Sequence, residues 1–140
     1  MALAYFDASA FVKLLVDEDG SDLAAQLWDG CDAALSSRLA YPEVRAALAA
    51  ARRDRRLTSG ALAAAEASWE EFWSATRAVE LTAAIAQHAG SLAAERGLRG
   101  ADAVHLASAL AVGDAGLIFA VWDVRLRDAA RAMRLRVSPA

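Results

Sequence analysis

One cysteine, Cys31, is all the thiol chemistry this chain offers, and His88 and His105 are its only imidazoles. A lone thiol cannot close an internal disulfide, and three such residues fall short of the four ligands that a closed Cys/His zinc site takes. Lysine is almost missing too: Lys13 stands alone among 15 basic residues, and the rest are arginine. No apolar run reaches the ~18 residues of a membrane span, because Asp7 and Lys13 break the hydrophobic N-terminal stretch. That stretch also lacks a basic leader and a cleavage-like end, so it reads as neither span nor signal peptide, and the expected location is cytoplasmic. Repeats, low-complexity segments and linkers are absent. Any chemistry therefore falls to carboxylates.

The 140 residues are 57% hydrophobic, enough for one well-buried core and too few for two ordinary domains, so residues 1–140 read as one domain. The formal net charge of -3 argues against coating nucleic acid by bulk charge. Locally the balance reverses. Arg52, Arg53, Arg55 and Arg56 lie within five positions, and Arg125, Arg127, Arg131, Arg134 and Arg136 crowd the C-terminus, so strips suited to phosphate coexist with an acidic total.

Short apolar runs alternate with longer helical periodicity, the pattern of a parallel sheet wrapped by helices. Strands are expected over 3–6, 33–36, 77–80, 116–122 and 135–137. Helices are expected over 9–16, 22–28, up to 53 with Pro42 near its first position, from Thr58 as cap, from Thr82 to Gly97, from Gly100 to Gly113, and over 124–133. Trp69, Phe72 and Trp73 recur at helical spacing and are expected in the core.

In an open parallel sheet, ligands bind beyond the carboxyl ends of the strands. Asp7 directly follows the first strand and Asp123 the fourth. Asp102 lies in the first turn of the helix from Gly100, and Glu43 near the start of the helix after the second strand. All four can converge at one edge. Taken singly, each acid reads equally well as a helix cap or a solvated first-turn residue. Together they form an oxygen-rich site for a hard dication such as Mg²⁺ or Mn²⁺, which would relieve their mutual repulsion and suit hydrolysis of a phosphodiester. His105 reads as a packing histidine, and Lys13 as an amphipathic lysine able to reach a phosphate. The Arg52–Arg56 cluster suits contact with RNA or a protein partner.

Four segments resemble the successive motifs of PIN-domain nucleases: Asp7-Ala8-Ser9, Tyr41-Pro42-Glu43-Val44-Arg45, the run from Leu98 to Ala109, and Val121-Trp122-Asp123. Their spacing is similar to that of the VapC toxins of type II toxin–antitoxin modules, over nearly the whole chain. The resemblance implies an α/β/α sandwich around a mainly parallel sheet of four to five strands. It implies Mg²⁺- or Mn²⁺-dependent endoribonuclease activity, a homodimer, and inhibition by a cognate antitoxin whose C-terminal segment occupies the groove near the site. Carried over residue by residue, Asp7, Glu43, Asp102 and Asp123 match the acidic quartet. Asp7, Asp102 and Asp123 are the implied metal holders, and Glu43 completes the pocket or positions water. Ser9 matches a hydroxyl residue that can hydrogen-bond a carboxylate and fix its rotamer. Trp122 stands where that pattern has a smaller or phenyl-bearing residue, which bears on the width of the pocket.

Three other readings stay open on the residues. A haloacid-dehalogenase-like phosphatase also places an acid after the first strand, but wants a second aspartate where Ser9 stands. A receiver domain needs an acidic pair and a late lysine. An RNA- or antitoxin-binding module with little or no hydrolysis needs only the fold.

Overall fold

The computed structural model describes all 140 residues. Strand β1 (Leu3–Phe6) is followed by α1 (Ala8–Leu15) and α2 (Ser21–Gly30), then β2 (Ala33–Ser37), α3 (Ala40–Arg53) and α4 (Ser59–Ser74). After them come β3 (Thr76–Val79), α5 (Ala83–Arg96), α6 (Gly100–Val112), β4 (Ile118–Ala120), α7 (Val124–Ala132) and β5 (Arg136–Ser138). The five strands form one sheet in the order β3-β2-β1-β4-β5, and every pairing is parallel.

Period-two alternation in the central strand divides the core between two layers. Leu3 and Tyr5 face α5, α6 and α7 with Leu92, Leu106 and Leu126, whereas Ala4 and Phe6 face α1, α3 and α4 with Phe11, Leu48 and Trp69. The result is an α/β/α sandwich. Trp69 is wholly buried, and Phe72 and Trp73 pack partly buried beside it, as their helical spacing leads one to expect. Since β1 lies in the middle, the chain winds outward to β2 and β3 on one side and returns to β4 and β5 on the other. The crevice beyond the carboxyl ends of β1 and β4 is thus the switch point of the sheet.

The boundaries follow their caps. Thr58 and Thr82 accept hydrogen bonds from the amides of Ala61 and Ile85 at the starts of α4 and α5, and Gly97 and Gly113 end α5 and α6 in the left-handed region. Pro42, expected at or near the first position of its helix, is the third residue of α3, still within the turn whose amides have no intrahelical acceptor. The fourth strand is shorter than expected and pairs only over Ile118–Ala120, because Gly116 and Leu117 turn back to donate to Asp114.

Candidate active site

Asp7 leaves the end of β1 in an extended backbone conformation and caps α1: its Oδ1 accepts the Ala10 amide at 2.9 Å. Only 4% of the residue is exposed. Burial lifts its pKa to about 6, with His105 and the Ala10 amide opposing the rise and the carboxylates of Asp102 and Glu43 adding to it. The acids that act on Asp7 thus come from two other segments of the chain.

All three acids line a cleft of about 210 Å³, together with Ser9, Arg99 and His105. Glu43 reaches it from the first turn of α3, and Asp102 from the first turn of α6. Arg99 lies one turn before Asp102, and its Nε donates to Oδ2 at 3.0 Å. Behind Glu43 sits His105, whose Nε2 is 2.6 Å from Glu43 Oε1 and whose Nδ1 is 2.8 Å from the Tyr5 hydroxyl.

Asp123 stands differently. It is exposed, caps α7 by accepting the Leu126 amide at 2.9 Å, and is not among the residues lining the cleft, although its charge is felt by Arg99. Ser9 faces the cleft but makes no side-chain hydrogen bond; the Asp7 rotamer is held by the Ala10 amide instead.

A PIN-domain family model matches residues 4–136. The chain belongs to the PIN-domain family. It is 71% identical over all its 140 residues to Ribonuclease VapC45 of Mycobacterium tuberculosis (strain CDC 1551 / Oshkosh), covering 97% of that protein. The same figures hold for Ribonuclease VapC49 of M. tuberculosis (strain ATCC 25618 / H37Rv), so this PIN domain is of the VapC type. Its fold is shared with PAE2754 of Pyrobaculum aerophilum, whose crystal structure superposes with a TM-score of 0.67 at 23% identity, over 97% of this chain and 90% of that one.

Within this PIN domain, Trp122 turns away from the acids. Its indole packs on Gly20 and lies 5.2 Å from Lys13 Nζ, so it does not narrow the acidic cleft. Lys13 is engaged there as well, by Glu18 at 3.2 Å and the Asp19 carbonyl at 2.7 Å, in keeping with its structural reading. Two features of the site have little voice in the sequence. Arg99 is visible only as a motif member, and the link from Tyr5 through His105 to Glu43 joins residues far apart in the chain. The one signal for it is the spacing of three between Asp102 and His105, which sets them on neighbouring helix faces.

What the cleft can do follows from its donors. Carboxylate oxygens and no thiols suit a hard dication, and a cation held beside the buried Asp7 and its two neighbouring acids would offset the burial and repulsion that raise its pKa. No three of the acids and histidines form a preassembled ligand cage. Mg²⁺ does not require one, since it commonly keeps several waters and binds through one or two carboxylates.

Proposed function

We propose that the chain is a toxin-type endoribonuclease that hydrolyses RNA phosphodiesters with Mg²⁺ or Mn²⁺, the 140 residues acting as one nuclease unit. The gathering of Asp7, Glu43 and Asp102 at the carboxyl edge of the sheet carries this reading. The names of the relatives in M. tuberculosis, both ribonucleases, support the substrate class.

In this reading Asp7 and Asp102 hold the cation, and Asp123 joins them from the start of α7. When bound, the cation neutralises the acids, lowers the pKa of an attacking water and offsets charge on the leaving oxygen. Glu43 orients that water. Arg99, exposed at the cleft mouth, releases Asp102 and turns to an RNA phosphate, for which its planar fork is suited. The groove from Ser9 and Glu43 along α1 and α3 to Arg56 carries the RNA strand away from the acids.

We assign the same groove to the C-terminal segment of a cognate antitoxin, which then inhibits by excluding RNA. The working assembly is a homodimer in the cytoplasm; no helix is long and apolar enough to cross a membrane. The pairing of Arg99 with Asp102 favours one second reading, a binding module whose acid is masked and whose hydrolysis is negligible.

Purified protein incubated with total RNA separates the two. Discrete cuts with Mg²⁺ or Mn²⁺, none with EDTA, and none from Asp7→Ala or Asp102→Ala are expected. Intact RNA beside tight, metal-independent binding would replace the nuclease reading with the second.

A further inference from the structure

We propose that Tyr5 and His105 form a positioning relay that fixes the Glu43 carboxylate in the acidic cleft. The inference rests on the nuclease reading and deepens it, giving work to two buried polar groups that the chemistry itself leaves unused.

Both side chains lie in the interior, Tyr5 at 0% and His105 at 1% exposure, with their rings edge-on at 5.8 Å. The Tyr5 oxygen accepts the Ser37 amide of β2 at 2.9 Å and lies 2.8 Å from His105 Nδ1. Its own proton has one open acceptor. Only His105 Nδ1 lies within hydrogen-bond distance of it as an acceptor: Ser36 Oγ is paired with the Phe6 carbonyl at 2.6 Å, and Ser108 Oγ, buried on α6, makes no hydrogen bond with the phenol. The phenol therefore donates to Nδ1, so His105 carries its proton on Nε2 and donates it to Glu43 Oε1. The direction of each bond runs from the rigid sheet outward: Ser37 to Tyr5, Tyr5 to His105, His105 to Glu43.

A histidine placed only for packing could spend Nε2–H on any buried carbonyl. Here the acceptor is a carboxylate 27% exposed, lining the cleft that holds Asp7 and Asp102. Glutamate has three side-chain torsions, and one in the first turn of a helix is otherwise free to swing into solvent. Binding Oε1 removes that freedom and leaves Oε2 as the oxygen able to serve water or substrate. Partners that orient a functional carboxylate in this way matter to rate rather than to affinity for substrate.

Three variants and one spectrum test the relay. For His105→Leu, the kcat of RNA cleavage at saturating Mg²⁺ should fall about 10- to 100-fold with KM little changed. His105→Gln places an amide N–H₂ where Nε2 stood and should recover most of that loss; Tyr5→Phe, which leaves the imidazole unoriented, should lower kcat and leave KM unchanged. Nitrogen NMR of the unmutated protein should show His105 as the Nε2–H tautomer, with a resonance that moves in Glu43→Gln; the only other histidine, His88, is the internal reference.

The relay is overturned if folded His105→Leu cuts at the wild-type rate, if His105→Gln is as slow as folded His105→Leu, or if His105 is the Nδ1–H tautomer. Should His105→Leu fail to fold, the glutamine variant set against wild type and the spectrum decide. An inactive wild type would defeat the nuclease reading instead, and the spectrum would still decide the relay.

Discussion

Arg99 donates through Nε to Asp102 Oδ2 at 3.0 Å, with the guanidinium side chain 79% exposed and the carboxylate side chain 18%. A built-in cation thus occupies a carboxylate that the proposed function needs for a metal. Exposed pairs of this kind are weak, so a dication can displace the arginine. Removing it should make the displacement unnecessary. Arg99→Ala is expected to bind Mn²⁺ several-fold more tightly by calorimetry and RNA less tightly. Weaker Mn²⁺ binding in the variant would show that Arg99 supports the metal rather than competing with it.

Asp7 gives a pH dependence whose sign is opposite to that of a salt-bridged acid. Its folded pKa, about 6, lies above the ordinary 3.8, so the folded state holds the proton more tightly than the unfolded chain does. Stability from this group is greatest at low pH, declines between about pH 4 and 6, and above that window the ionised group costs about 3 kcal/mol. Asp7→Asn keeps a capping oxygen for α1 and drops the charge. Without metal it should melt several degrees above wild type at pH 7.5 and match it at pH 4, while losing RNA cleavage. Added Mg²⁺ should raise the melting temperature of wild type only. Equal melting at pH 7.5 would mean that the charge is already compensated.

Gly20 packs against the indole of Trp122. Its φ is +92°, and a Cβ built there would lie 2.6 Å from Trp122 Nε1. Gly20→Ala therefore combines left-handed strain with a clash against a large ring, and should cost about 2 kcal/mol in urea unfolding. A neutral result would show that Trp122 swings aside freely.

Two arginines stand where helix ends favour glycine. Arg55 has φ +60° and Arg134 φ +65°. In each, the next amide reaches back five residues, Arg56 to Ala51 and Leu135 to Ala130, closing a Schellman turn. Arg55→Gly and Arg134→Gly should each stabilise the fold by about 1 kcal/mol. Arg55 also belongs to the cluster with Arg52, Arg53 and Arg56. Combined replacement of Arg53 and Arg55, which make no ion pair, should weaken RNA binding and lower its salt slope by about one unit for each phosphate that is no longer neutralised. A stability gain with unchanged salt slope would assign the cluster to something other than RNA.

Much of this molecule is legible in the linear chain because the signals are local. Asp7 at the end of β1, Thr58 and Thr82 as caps, Gly97 and Gly113 as stops, and the alternation of Leu3, Ala4, Tyr5 and Phe6 all act within one turn or one strand. Short-range steric and hydrogen-bonding rules are enough to place them, and a parallel sheet with its acids at one edge follows. Where those rules compete, the linear pattern misleads: the apolar run 116–122 looks like one strand, yet the turn at Asp114 claims its first residues.

Only the folded chain decides which polar groups meet. Tyr5, Glu43 and His105 come from β1, α3 and α6, and no periodicity encodes a contact across 62 or 100 residues. The same holds for Trp122, whose neighbour in the chain is an acid but whose neighbours in space are Gly20 and Lys13. Composition and spacing set which face each side chain takes. Packing of the two helical layers on the sheet sets the distances, and with them the raised pKa of Asp7, because burial and the approach of other charges are properties of the assembled interior.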